Sequence, residues 1–319
     1  MSKVSSIALA LILVVLRPAL AEEAFHQFAS LGTGEMTGVY YPVGSAICAI
    51  VTQGLRSTGV RCSPETTPGS VYNVDALRTG ELEFAIVQSD VAYAAFNGKG
   101  AYAQRPASEL RSVLALHPEL VTIVARPGIE DLSDLAGKRV NVGPEGSGTR
   151  HTWEGIAAAV GWKNGEAPQI VDMPDDATGP AICAGSLDAS LLVVGHPSMK
   201  VGALLARCPV NLVAVNGSAI DSLVAASPYF REGTIKGGPY GSTVDTPSFG
   251  VSAVLMTTAN MDDRVVAAFA RALVTQIETL KSKNPSLANL SLDDMVSGSL
   301  PAPIHSAAMQ VYRELGLLN

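Results

Sequence analysis

The stretch "FASLGTGEMTGVYYPVGSAIC", Phe28 to Cys48, holds the fold in miniature. A strand-like run breaks at Gly32, passes Gly34 and Gly38, and resumes as an apolar segment of helical character. Strand, glycine-rich loop and helix form the usual cradle for an anion, because the free backbone N–H groups of a helix start point at it. The same order recurs downstream: Gln88-Ser89-Asp90 follows the apolar run ending at Val87, and "GPEGSGT", Gly143 to Thr149, follows Val142. Ligands of open α/β sheets lie beyond the carboxyl ends of the strands. Three such ends therefore predict one polar cleft lined by small hydroxyls and backbone amides.

Outward from these ends the chain alternates short apolar runs with longer amphipathic ones. Strands are expected at 28–31, 84–87, 113–116, 121–125, 139–142, 189–194, 212–215 and 251–256, and helices at 43–55, 70–79, 91–96, 149–160, 177–184 and 264–280. That alternation predicts an α/β protein with parallel sheets. A mature length of about 300 residues is near the limit of one core, so two lobes are expected. Ser70 is placed as an N-cap with Val71, Val74 and Leu77 on one helix face and Gly80 as the stop. The lobe crossings are expected near 116–126 and 247–256. Lobe I then comprises residues 22–118 and 250–319, and lobe II residues 119–249.

The first residues, "MSKVSSIALALILVVLRPALA", read as a signal peptide over 1–21: Lys3, an apolar run from Ile7 to Leu16, then Ala19-Leu20-Ala21 as the small-x-small cleavage pattern. The run is shorter than the roughly 20 residues a spanning helix needs. A periplasmic, soluble mature chain beginning at Glu22 is expected. Removing Lys3 and Arg17 leaves 20 basic against 29 acidic residues, a formal charge of −9. No basic patch exists to replace the counterions of a nucleic acid, so no nucleic-acid partner is expected.

Cys48, Cys62, Cys183 and Cys208 are read as structural disulfides, because an even count in an oxidising compartment suggests pairing. Three pairings are possible, and the spacing favours two local loops, Cys48 to Cys62 and Cys183 to Cys208. No CxxC or close Cys/His pair supports zinc. His26, His117, His151, His196 and His305 lack ligand-like spacing, and the His151/Glu154 pair lacks further ligands, so neither a metal nor a cofactor is expected. Asp175 and Asp176 read as a solvated pair.

Enzyme signatures fail one by one. Ser147 lacks the first glycine of a nucleophile elbow. Gly137-Lys138-Arg139 fails the last position of a P-loop. "GTGEMTG" has its third glycine one place late for a dinucleotide fingerprint. Ser147 and Thr149 suit either plain helix capping or donation to a carboxylate or phosphate, and both uses share one geometry. Arg150 and Arg126 are candidate carboxylate clamps or ordinary surface arginines. A binding protein without catalytic residues is expected.

Four ordered blocks carry a family resemblance: "GTGEMTGVYYPVGSAIC" (32–48), "TPGSVYNVDALRTGELEFAIVQSDVAYAAFNG" (67–98), "DLAGKRVNVGPEGSGTR" (134–150) and "VVGHPS" (193–198). Together they resemble the TAXI family of substrate-binding proteins of tripartite ATP-independent periplasmic (TRAP) transporters, over essentially the whole mature chain. The resemblance implies a two-lobed periplasmic binding protein of type II-like, Venus-flytrap form, closing on a small solute in a cleft between lobes. It implies glutamate, glutamine or a small dicarboxylate such as 2-oxoglutarate as the solute, TRAP membrane permease subunits as partners, and a monomer. Carried over by position, the ligand-binding residues are Gly32, Thr33, Gly34, Tyr40, Ser70, Asn73, Gln88, Ser89, Ser147, Gly148 and Thr149. The cysteine pairs match a subset of the family. Glu35 stands where the family has glycine, and a carboxylate there would repel an anionic solute if it faced the cleft. The competing expectation is a periplasmic ligand sensor that reports to a membrane receptor through the same fold.

Overall fold

The run Phe84–Gln88 is apolar almost throughout and buried at every position, which suits a strand covered on both faces. In the computed structural model it lies inside one ten-stranded sheet. The structure describes residues 25–163, 166–298 and 300–319, so the expected signal peptide lies outside the described residues. The strands are β1 (Gln27–Gly32), β2 (Val60–Glu65), β3 (Phe84–Gln88), β4 (Leu110–Ala125), β5 (Arg139–Asn141), β6 (Gln169–Ile170), β7 (Ala189–Val194), β8 (Asn211–Val213), β9 (Arg231–Ile235) and β10 (Thr246–Thr258). The path through the sheet is β2-β1-β3-β10-β4-β7-β5-β6, with β8 on β4 and β9 on β10.

The sheet is mixed, which corrects the expectation of parallel pairing throughout. β1, β2 and β3 pair in parallel, as do β5, β6 and β7. The long strands β4 and β10 run antiparallel to every strand they pair with, β3 and β7 of those sets included. The reason lies in the cores they join. Val113, Leu114 and Leu116 of β4 pack in one hydrophobic cluster, and Val121, Ile123 and Ala125 further along pack in another. β10 makes the return journey, from Phe249 and Val251 in the second cluster to Ala253 and Leu255 in the first. One strand leaves and the other comes back, so their directions must oppose.

β4 also corrects the expectation of two short strands, 113–116 and 121–125. "HPE" interrupts the apolar pattern, yet the strand continues because the ladder shifts register opposite it. Ser252 faces Pro118 while Val254 faces Ala115, and an irregularity of this kind accommodates a proline that cannot donate.

The helix Tyr40–Gln53 packs beside the C-terminal helices Asp263–Thr275 and Ser306–Glu314 around the first core. There Phe84 stacks on Phe269 at 3.9 Å between ring centroids, and the Tyr312 hydroxyl donates to the Val113 carbonyl at 2.8 Å. Such ring pairs add roughly 0.5–1.5 kcal/mol beyond their area burial. Both disulfides are local, Cys48 to Cys62 and Cys183 to Cys208. The first ties the helix Tyr40–Gln53 to β2, and the second ties the helix Asp175–Ala184 to the end of the helix Met199–Arg207.

Candidate functional site

Four strands of the sheet end at one place. β1 runs out at Gly32 into the helix Tyr40–Gln53, β3 at Gln88 into the helix Ser89–Phe96, β5 at Asn141 toward the helix Gly148–Val160, and β7 at Val194 toward the helix Met199–Arg207. The helix Ser70–Thr79 begins beside them. A cavity of about 110 Å³ lies among these ends. It is lined by Gly34, Tyr40, Ser70, Gln88, Ser147, Gly148 and Thr149, by the β7 run Ser190 to Val194, and by Glu35 and Lys200.

Seven of the eleven residues named from the sequence therefore share one cavity. The other four sit just behind it, engaged with the backbone. Thr33 is fully buried and its hydroxyl donates to the Glu65 carbonyl at 2.6 Å. Asn73 donates to the carbonyls of Thr33 at 2.8 Å and Ile86 at 2.9 Å. The Ser89 hydroxyl accepts from the Ser252 amide at 3.1 Å. At Gly32 a Cβ would meet Leu82 and the Asn73 amide oxygen. These groups fix the loop rather than face the cavity.

Gln88 is held by a chain of side chains. Its Nε2 donates to Thr152 Oγ1 at 3.0 Å and to Asp90 Oδ1 at 3.2 Å, and Thr152 in turn donates to Asp90 Oδ2 at 2.7 Å. Since Asp90 only accepts when ionised, the network assigns the amide nitrogen to that side and turns the oxygen the other way. That oxygen approaches Gly148 so closely that a Cβ at Gly148 would collide with it. Gly148 therefore serves through its lack of a side chain.

Ser70 does not cap its helix, correcting that expectation. The cap position is Gly69, at φ +123°, a conformation that strongly favours glycine, and the Ser70 hydroxyl instead accepts from the Gln88 amide at 3.0 Å. Ser147 does cap: its Oγ accepts from the Arg150 amide at 3.1 Å and donates to the Pro144 carbonyl at 2.7 Å. The Thr149 hydroxyl accepts from the Val193 amide at 3.3 Å, tying this helix to β7.

Behind Tyr40 lies a buried acid. The Tyr40 hydroxyl donates to Glu119 Oε2 at 2.7 Å. Burial pushes the Glu119 carboxyl up to about 8, the Tyr40 hydrogen bond opposing and the Asp90 charge adding to the rise. Burial, and then the Glu119 charge, raise the Tyr40 phenol well above its usual range. Glu119 lies on β4 between the two cores that this strand connects.

The arginines named from the sequence both face elsewhere. Arg150 donates to the Gly143 carbonyl from Nε at 3.1 Å and Nη2 at 2.8 Å and pairs with Asp172. Arg126 pairs with Asp188 at 3.4 Å on the surface. Among the described residues that line the cavity, the cation is Lys200 and the anion is Glu35, with Lys200 Nζ 3.6 Å from Glu35 Oε2. Lys200 escaped the sequence reading although its signal was present. "VVGHPSMK" is a fourth strand end followed by a helix cap, Ser198, whose Oγ accepts from the Val201 amide at 3.4 Å.

A family model described as the NMT1-like family matches residues 31–316, nearly the whole described chain, and the protein belongs to that family. Among solved structures it resembles MatC from Rhodopseudomonas palustris, determined with bound malate, at 15% identity and a TM-score of 0.55 over 91% of this chain and 96% of that one. It also resembles a Listeria monocytogenes protein titled as an L-cystine ABC transporter, at 13% identity and a TM-score of 0.52 over 83% of this chain and 97% of that one. At these identities the likeness shows the fold, that of two-lobed periplasmic binding proteins. Among the described residues no helix is long and apolar enough to cross a membrane.

Proposed function

We propose that this protein is the periplasmic solute-binding component of a TRAP transporter of the TAXI type, which captures a small carboxylate solute and hands it to the membrane permease without chemical change. The observation that carries the reading is the cavity itself. The starts of the helices Tyr40–Gln53, Ser70–Thr79 and Gly148–Val160 border it together with the Lys200 ammonium, and both features favour a negative group. Glutamate, glutamine and 2-oxoglutarate are the solutes in view, and the malate in MatC's title is a solute of the same class on a similar fold.

The mechanism is linkage. We assign residues 22–118 with 250–319 to one lobe and 119–249 to the other, supported by a hydrophobic cluster whose buried members, Val251 apart, fall within 119–249. A solute touching Tyr40, Ser70 and Gln88 on one lobe and Ser147, Gly148, Thr149 and Lys200 on the other binds the closed form better and shifts the population toward it. The permease then reads the closed surface.

A thermal-shift screen of the refolded, ligand-stripped protein tests this. A solute at 100 times its dissociation constant stabilises the native state by about 2.7 kcal/mol. The expected result is a rise of several degrees with a small carboxylate such as glutamate, glutamine or 2-oxoglutarate and none with phosphate or cationic solutes. A response confined to a neutral sugar or a cation would overturn the reading.

A further inference from the structure

Glu35 leaves the loop after β1 and Lys200 enters from the helix after β7, so their ion pair joins two separate elements at the cavity wall. Both line it, with the Lys200 side chain 19% exposed and that of Glu35 37%. A solute filling so small a space lies within a few ångströms of both charges. We propose that this pair selects the solute by its charge pattern, admitting an amino acid and disfavouring a dicarboxylate that lacks an ammonium group. The inference rests on the small-carboxylate reading above and adds the residues that discriminate within that class.

The argument is one of partner exchange. When a zwitterion enters, its ammonium meets Glu35 and its carboxylate meets Lys200 and the helix starts, so each charge of the broken pair regains an opposite one. When a dicarboxylate without an ammonium enters, Lys200 and the helix starts receive a carboxylate as before, but Glu35 meets only negative charge on the solute. Like charges cost more as water is excluded, and a burden of this size separates the two solutes by about tenfold or more in affinity.

Isothermal titration at pH 7.5 tests it with matched solutes that differ in the amino group: glutamate against 2-oxoglutarate, and aspartate against succinate. The wild-type protein is expected to bind the amino member of a pair at least about tenfold more tightly, on the scale where each factor of ten is one order in Kd. Glu35→Gln is expected to erase that preference, chiefly by improving the dicarboxylates, while Lys200→Met weakens every carboxylate. Melting curves of both variants confirm that they fold. Equal binding of glutamate and 2-oxoglutarate to the wild type, or a preference that survives in Glu35→Gln, overturns the proposal while leaving the small-carboxylate reading intact. Silence from all four solutes with the wild type overturns that reading and the proposal with it.

Discussion

Two glycine-rich loops leave strands well apart in the sheet and enter helices that border one cavity, one after β1 through "GTGEMTG" and one after β5 through "GPEGSGT". They differ in what they are fastened to. The first is bolted to its own side: the Thr33 carbonyl accepts from Asn73 at 2.8 Å and from the Thr67 hydroxyl at 3.0 Å, and the Thr33 hydroxyl donates to Glu65. The second reaches across. Its Gly146 carbonyl accepts from the amides of Val71 and Tyr72, each at 3.1 Å, at the start of the helix Ser70–Thr79. Thr152, one turn into the following helix, completes the Gln88 and Asp90 chain from the far side. One loop forms a braced wall, and the other belongs to the closure proposed above.

That contrast assigns different consequences to residues of similar chemistry. The largest effect on stability belongs to the wall. Asn73→Ala removes two buried hydrogen bonds at once, one to the Ile86 carbonyl and one of the two that the Thr33 carbonyl accepts, and such a loss costs roughly 1–3 kcal/mol. A fall of several degrees in the melting temperature is expected, with solute affinity in the surviving native protein nearly unchanged. An affinity loss larger than the stability loss would break the comparison.

Thr152→Val makes the converse case. It removes the hydroxyl between Gln88 and Asp90 at nearly constant volume, so the Gln88 amide keeps only its 3.2 Å bond to Asp90 Oδ1 and is less firmly oriented. The cost in stability is about 1 kcal/mol, the usual net worth of a hydrogen bond. Solute affinity should fall by roughly tenfold or more, because a disoriented acceptor must be ordered on binding. Titration calorimetry beside a melting curve separates the two effects.

Between wall and closure lies Glu119, which sharpens the comparison through pH. Its native carboxyl is raised to about 8 from an ordinary 4.5, chiefly by burial. The native state therefore holds a proton that the unfolded chain releases between those values. This group's stabilisation is full below about pH 4.5 and is lost as pH rises through 8. The difference in unfolding free energy between Glu119→Gln and wild type should grow in the variant's favour across that window, measured by urea denaturation at several pH values. A constant difference would show that Glu119 is ionised in the folded protein. Burial lowers His117 to about 4, which acts in the opposite direction on acidification and cancels when variant and wild type are compared.

Much of this arrangement was legible in the sequence because strand ends announce themselves. Gly34, Gln88 and the Ser147-Gly148-Thr149 run followed apolar runs, and all border the cavity. The division between residues that border the cavity and residues set behind it was not legible, since both kinds have the same local sequence. Thr33 and Ser89 look like Thr149 and Ser147 until the neighbouring strand is placed against them. Lys200 was hidden for another reason: it follows β7, far along the chain from the first cradle, and only the folded chain brings both to one cavity. The antiparallel run of β4 and β10 likewise depends on which core each half of the strand enters, a long-range fact that local periodicity does not contain.

The most direct measurement is titration of glutamate into two glycine variants, one from each loop. At Gly34 a Cβ would lie 3.6 Å from Tyr40 Cβ, an ordinary contact, so Gly34→Ala should bind within a few-fold of wild type. At Gly148 a Cβ would strike the Gln88 amide oxygen and crowd the Ser70 hydroxyl at 2.8 Å, so Gly148→Ala should lose binding while still melting cooperatively. Undiminished binding by Gly148→Ala would contradict the placement of the solute among these strand ends.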